Sequence, residues 1–252
     1  MYHFFVESAQ VSGDFQSVLI TGSDYNHIRN VLRMKKGEQF SVSILGDDSG
    51  KELFYEIDSF TEDTVAGKLC FVEENGHELP SRIYLFQGLP KVDKMELIIQ
   101  KAVELGAYRI IPMSTKRCIV KLDEKKSASK IKRWQAIAEA AAKQSKRGII
   151  PEVTQPLSMK QAIKYCEDNA IDVRLIPYEN AKDISFTRQI IENIKPGQSV
   201  AVFIGPEGGF SEEEIRLCLD GGIQPITLGR RILRTETAGF TAISWLMYHL
   251  ES

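Results

Sequence analysis

The stretch RIYLFQGLPKVDKMELIIQKAVELGAYRIIPM, residues 82–113, decides the fold. RIYLFQGL is an apolar run of strand length. Asp93 then starts the helix KMELIIQKAVEL, with Glu96 placed for a capping box, and Gly106 stops it. AYRIIPM follows as a second strand. A strand, a helix and a strand in this order form a β-α-β unit, which predicts a parallel pair joined by a right-handed crossover.

The alternation continues toward the C-terminus. A long helix runs from about Ser127 to Lys146, followed by a helix over Met159 to Asp168. Then come the strand IDVRLIPY, a helix over Phe186 to Ile194, the strand SVAVFIG, a helix over Ser211 to Leu219, the strand PITLG and a last helix. Such alternation means an α/β domain with a mainly parallel sheet. The N-terminal part differs. FQSVLITG, EQFSVSILG, LFYEIDSF and TVAGKLCFV are short, rich in β-branched and aromatic residues and split by Gly and Asp turns. One short helix, SDYNHIRNVLRMKKG, lies among them, with Ser23 as N-cap and Gly37 ending the turn after it. Short strands with one helix suggest a small β-barrel. The polar segment EENGHELPS marks the boundary between a domain of residues 1–75 and one of residues 76–252.

The chain has 252 residues, enough for a sizeable core. No apolar run is long enough to cross a bilayer. The opening MYHFFVESAQ lacks the basic and long apolar segments of a secretion signal. A soluble cytoplasmic protein is expected. Cys70, Cys118, Cys166 and Cys218 lie far apart with no CxxC pair, so neither a zinc site nor a disulfide framework is expected. His3, His27, His77 and His249 are scattered, and no metal is expected. The formal net charge of −2 hides an uneven distribution. Met1 to Asn75 carries 6 basic and 13 acidic residues, whereas Lys116 to Arg147 carries 11 basic and 3 acidic ones. A basic cluster on an otherwise balanced chain is the footprint of a polyanion.

Three stretches carry chemistry, each with a plainer alternative. IGPEGGFSEEE (Ile204–Glu214) sits at the end of the strand SVAVFI, where open α/β sheets bind ligands. Gly205, Gly208 and Gly209 let backbone approach a ligand closely. Phosphate fits poorly, because Glu212, Glu213 and Glu214 already complement the helix dipole and no phosphate-loop motif is present. The plain alternative is a strand-to-helix turn with Ser211 as N-cap. LGRRILRTETAGFTA (residues 228–242) likewise follows a strand; its Arg230, Arg231 and Arg234 suit phosphate or RNA backbone, or cap carbonyls and pair with glutamates. On the Ser127–Lys146 helix, Ile131, Trp134, Ala138 and Ala141 share one face, with Lys132, Lys143 and Arg147 on another. Those cations are either a solvated face or a nucleic-acid contact. In the acidic N-terminal part, Arg29, Arg33, Lys35 and Lys36 are the concentrated positive charge.

Taken together, HIRNVLRMKKGE, KVDKMELIIQKAVELG, KQSKRGIIPEV, IGPEGGFSEEE and LGRRILRTETA resemble the RsmE family of SPOUT-type RNA methyltransferases, in the family's order and over nearly the whole chain. IGPEGG followed by LGxRILRxETA is a specific pair. In KQSKRG, Lys143 and Lys146 stand where the family pattern has an acidic and a small residue, while Gln144, Ser145 and Arg147 match. The resemblance implies an N-terminal PUA-like β-barrel and a C-terminal α/β domain with a trefoil knot. It implies a homodimer that takes S-adenosylmethionine (SAM) as cofactor and methylates N3 of one uridine in the decoding region of 16S ribosomal RNA.

Carried over by position, Ile204, Gly205, Pro206, Glu207, Gly208 and Gly209 form one wall of the SAM site. Leu228, Gly229, Ile232, Leu233 and Arg234 form another, and Pro177 with Tyr178 a third. Glu236, the nearest carboxylate in a matching motif, is the expected general base. Arg234, and Arg147 as a second, are expected to stabilise charge on the uracil oxygens or hold a phosphate. RNA contacts are expected at Arg29, Arg33, Lys35, Lys91, Lys132, Lys143 and Arg147. Methylation of a ribose 2′-OH or another base, a non-catalytic RNA-binding protein, and a nucleotide-binding enzyme are the rival readings.

Overall fold

The computed structural model describes residues 1–252 except Asp48, Asn75, Gly76, Val92, Asp93, 121–123, Asn180 and Lys182, and describes the backbone alone at 124–126. Two compact units result. One is Met1–Glu78 with Ala142–Ile150; the other is Leu79–Ala141 with Pro151–Ser252.

The first unit contains β1 (Tyr2–Val6), β2 (Ser17–Thr21), α1 (Gly22–Asn26), β3 (Gln39–Ile44), β4 (Glu52–Phe60) and β5 (Thr64–Glu73). They form a five-stranded sheet in the order β1-β3-β4-β5-β2, antiparallel but for the parallel β1–β3 pair. Phe4, Val18, Ile20, Phe40, Tyr55 and Ile57 fill its core. β1 is an element that turn and alternation signals do not mark. The expected helix from Ser23 is instead the single turn α1 followed by a π-helical segment, His27–Leu32. Thr21, not Ser23, is its N-cap, because Gly22 at φ +64° turns the chain off β2 at once. Gly37, at φ +88°, ends the following turn as expected.

The domain boundary expected at 75/76, like the N-cap expected at Asp93, lies outside the described residues. The two units part at Glu78, and Ala142–Ile150 belongs to the first unit. The reason is electrostatic. The Glu78 carboxylate accepts from Arg147 Nε at 2.7 Å and Nη2 at 2.6 Å, and from the backbone N–H groups of Gly148 (2.8 Å) and Ile149 (3.3 Å). Lys143 Nζ lies 3.7 Å from Asp24. A bidentate guanidinium–carboxylate pair is among the strongest polar contacts a fold can use to fasten a distant segment.

The second unit contains β6 (Ile83–Gly88), α2 (Lys94–Glu104), β7 (Ala107–Met113), α3 (Glu124–Gln144, its last residues counted with the first unit) and β8 (Glu152–Val153). It continues with α4 (Met159–Asp168), β9 (Val173–Pro177), α5 (Ile184–Glu192), β10 (Val200–Ile204), α6 (Glu212–Asp220), β11 (Gln224–Ile226) and α7 (Thr235–Leu250). The strand order is β11-β9-β10-β6-β7-β8, and every neighbouring pair is parallel. The β-α-β reading of residues 82–113 therefore holds, with Gly106 at φ +91° between α2 and β7. α3 starts before Ser127 and buries Trp134, Ala138 and Ala141 while Lys132 faces solvent. Phe86 of β6 and Phe203 of β10 stack with centroids 4.4 Å apart at the middle of the sheet. Cys166 and Cys218 are core thiols whose pKa burial pushes up to about 12, so they pack as small apolar groups. No described helix is long and apolar enough to cross a membrane.

The topology locates a site before any side chain is considered. From β6 the chain steps outward through β7 to β8, then returns to build β9, β10 and β11 on the other side of β6. Strand order reverses between β6 and β10. In an open parallel sheet the crevice for a ligand lies outside the carboxyl ends of the strands at such a switch.

Candidate active site

The carboxyl ends of β6 and β10 are adjacent, with Ile204 paired to Gln87. The chain leaves β10 through Gly205–Gly209 and presses against Gly88. A Cβ on Gly88 would lie 2.6 Å from Cδ and 2.7 Å from N of Pro206. A Cβ on Gly205 would lie 3.0 Å from the Gly209 Cα, because the loop folds back on itself. Gly209, at φ +65°, donates its N–H to Pro206 O at 2.8 Å. Arg117 Nη1 donates to Gly208 O at 2.8 Å and braces the loop from the segment after β7. The glycines are thus required by close backbone approach. Gly88→Ala is expected to destabilise the chain by about 1–3 kcal/mol through overpacking. It should also weaken SAM binding about tenfold; calorimetric titration and thermal unfolding of the variant check both.

The sheet order sets the ends of β10, β9 and β11 side by side, so the three expected walls are contiguous. Pro177 ends β9, and Tyr178 N donates to Ile226 O at 2.9 Å. Beyond β11, Leu228, Gly229 (φ +106°) and Leu233 are half-buried. Ile232 differs in being 93 % exposed. Arg234 is exposed and has no ion pair among the described residues.

The start of α7 is tied to both strand ends. The buried Thr235 hydroxyl donates to Gly205 O at 2.6 Å and accepts from Gln87 Nε2 at 2.8 Å. The next residue, Glu236, has its Oε2 buried with no hydrogen bond among the described residues. The Lys94 ammonium stands at ion-pair distance from that oxygen, 3.3 Å, without hydrogen-bond geometry, and lies 3.4 Å from Glu207 Oε1. Glu207 also accepts from the backbone N–H of Lys91 at 3.1 Å. Partial burial works to raise the Glu207 pKa, but backbone N–H groups and Lys94 outweigh it and hold the carboxyl below its ordinary value. The result is a Glu207–Lys94–Glu236 charge cluster beside the glycine loop.

Lys94, Arg117, Gln87 and Thr235 are absent from the residues expected from sequence. Lys94 and Thr235 lie inside KVDKMELIIQKAVELG and LGRRILRTETA, where their side chains carry no pattern of their own. Gln87 did carry a signal, a polar residue within the apolar run RIYLFQGL; it is fully buried. Of the three acids after Ser211, Glu214 caps α6 itself and Glu213 pairs with the Lys116 ammonium at 3.1 Å. Ser211 Oγ accepts from Glu214 N and the Glu214 carboxylate accepts from Ser211 N, while its other oxygen takes the Lys116 N–H at 2.8 Å.

Among the expected RNA contacts, Arg29, Arg33 and Lys35 are exposed on the first unit. Arg29 lies 4.7 Å over the Phe60 ring, and Arg33 holds φ +55° where the π-helical segment ends. Lys91 and Lys132 are exposed on the second unit, and Lys143 is half-buried beside Asp24. Arg147, expected both in the chemistry and at RNA, lies beyond the end of α3, is buried, and directs Nε and Nη2 to Glu78. A surface depression of about 440 Å³ is lined by Lys116, Arg117, Ser211, Glu212, Glu213 and Arg216, none of them an expected cofactor residue. No group of three or more His, Cys, Asp or Glu is placed to hold a metal among the described residues.

Residues 77–247 match the RNA methyltransferase domain family, and residues 20–70 match the RNA methyltransferase PUA domain family. The chain is 38% identical over 256 residues to the ribosomal RNA small subunit methyltransferase E of Bacillus subtilis (strain 168), covering 100% of this chain and 98% of that protein. A methyltransferase from Legionella pneumophila solved in complex with bound SAM is 34% identical, covers 98% of this chain and 97% of its own, and superimposes with a TM-score of 0.79. The ribosomal RNA small subunit methyltransferase E from Neisseria gonorrhoeae, solved bound to S-adenosyl methionine, is 29% identical at the same coverage and TM-score.

Proposed function

The chain belongs to the ribosomal RNA small subunit methyltransferase E family, and we propose that it methylates N3 of one uridine in the decoding region of 16S ribosomal RNA. It is a SAM-dependent methyltransferase of small-subunit ribosomal RNA. The observation that carries the finer assignment is Glu236, whose buried Oε2 has no hydrogen bond, at the switch point beside the glycine loop.

The residues present fit SAM. The crevice offers backbone N–H and C=O groups, its walls stand where a Cβ on Gly88 or Gly205 would clash, and the nearby Glu207 and Glu236 suit a cationic ligand rather than a phosphate. Ile204–Gly209, Leu228, Gly229, Leu233, Pro177 and Tyr178 would hold the cofactor, which supplies an electrophilic methyl group on a sulfonium. The chain supplies the rest. Uridine N3 carries a proton and becomes a strong nucleophile only on losing it, so Glu236 accepts that proton. Arg234, exposed and free of an ion pair among the described residues, stabilises negative charge on a uracil oxygen or holds the neighbouring phosphate. The target base has to be unstacked to reach this position.

Arg29, Arg33 and Lys35 of the first unit, with Lys91 and Lys132 of the second, bind RNA backbone. Charge reversal at Arg29 and Arg33 together is expected to raise KM for RNA about tenfold or more and to flatten its salt dependence, with the Kd for SAM unchanged. Loss of SAM binding in that variant would refute the division of labour. The knot, the homodimer and the cytoplasmic location belong to the same proposal. The dimer is supported by exposed Ile232 and Tyr248, apolar surface of the second unit that a second copy would cover.

The test is methyl transfer from labelled SAM to small ribosomal subunits lacking the modification, followed by nucleoside digestion. Labelled 3-methyluridine is expected. A labelled 2′-O-methylnucleoside or another methylated base would overturn the N3 assignment.

A further inference from the structure

We propose that Lys94 is a positioning residue for methyl transfer: its single ammonium, shared by Glu207 and Glu236, pairs with and orients the carboxylate that takes the substrate proton. This rests on the assignment of Glu236 as that base.

The geometry makes the two carboxylates unequal. Glu207 is held independently, by the Lys91 N–H at 3.1 and 3.3 Å from its two oxygens. Glu236 Oε2 has no other partner among the described residues. Its side chain is 15% exposed, against 27% for Glu207 and 32% for Lys94, so the oxygen that would meet substrate is the least hydrated of the three groups. Lys94 supplies the one cation within ion-pair distance of that oxygen among the described residues. It also ties the first turn of α2 and the cofactor loop to the start of α7, so the base is aligned by the loop that lines the crevice.

Among the described residues the charges around Glu236 are few. Lys94 faces it from α2, and Glu207 lies beyond Lys94 on the loop after β10. β6 presents neutral Gln87, and exposed Arg234 precedes it in extended backbone. The segment after α5 meets α7 at the far end, where His249 Nε2 lies 2.8 Å from Ile194 O.

The experiment measures kcat, KM for RNA, SAM Kd, Tm and the pH profile of kcat for the wild type, Lys94→Met, Lys94→Arg, Glu207→Gln and Glu236→Gln. Lys94→Met is expected to lower kcat about 10- to 100-fold. The acid limb of its profile should move to higher pH, because a lost neighbouring cation no longer favours the ionised carboxylate. Lys94→Arg should restore most of the rate and the limb. Glu207→Gln, which leaves the ammonium to Glu236 alone, should move the limb the other way, to lower pH. An active wild type with an unshifted limb in Lys94→Met overturns the role of Lys94, and so does a loss of rate that only tracks a fall in Tm. Full activity in Glu236→Gln, or a wild type that transfers no methyl group, overturns instead the assignment beneath it, and the Lys94 role with it.

Discussion

Glu236→Gln is expected to lower kcat for methyl transfer by about 10²- to 10⁴-fold, the range typical for removal of a positioned acid–base group. The variant keeps the size and most of the contacts of the side chain, so the Kd for SAM and the KM for RNA should change little. Its amide cannot take a proton from N3. The residual rate should therefore climb as pH rises, because the solvent ionises the base without help. Single-turnover transfer on a bound substrate, measured across pH, reads this without interference from product release. A variant as fast as wild type would leave Glu236 with the structural task of pairing with Lys94, and the proton acceptor would have to be sought elsewhere.

Arg147→Met is expected to destabilise the first unit by about 3–5 kcal/mol, the cost of breaking a buried ion pair from one side. Glu78 would keep the Gly148 and Ile149 N–H groups yet lose its counter-charge in a largely desolvated position. Arg147→Lys should recover only part of the loss, because one ammonium cannot reproduce two parallel donors. Denaturant unfolding gives the stability, and methyl transfer well below the unfolding temperature gives the catalytic effect. A large loss of kcat with unchanged stability would return Arg147 to the chemistry and contradict its placement beside Glu78.

The two residues show where a linear reading stops. Arg147 and Glu236 both stand in segments that match a family pattern, and the sequence offers the same roles for both. Their hydrogen-bond partners separate them. The partner of Arg147 is Glu78, 69 residues away, and nothing local marks that carboxylate as its ligand. Lys94 was invisible for the same reason: a lysine opening a helix reads as a solvated cation until Glu207 and Glu236 are brought to it. Ile232 is a different case: its motif position makes it a wall residue, and in the single chain it is 93 % exposed.

By itself the sequence determined what is decided within one or two turns of chain. The β-α-β unit, the helix Met159–Asp168, the Ser211 N-cap and the glycine loops after strands all rest on periodicity, capping and φ freedom, which act between near neighbours. Tertiary structure alone decided the strand order, hence the switch point between β6 and β10, and the allegiance of Ala142–Ile150 to the first unit. It alone brought one ammonium between two carboxylates from separate parts of the chain. Such contacts are set by the packing of whole elements and by the desolvation of charges at their ends, quantities that no local window of sequence contains.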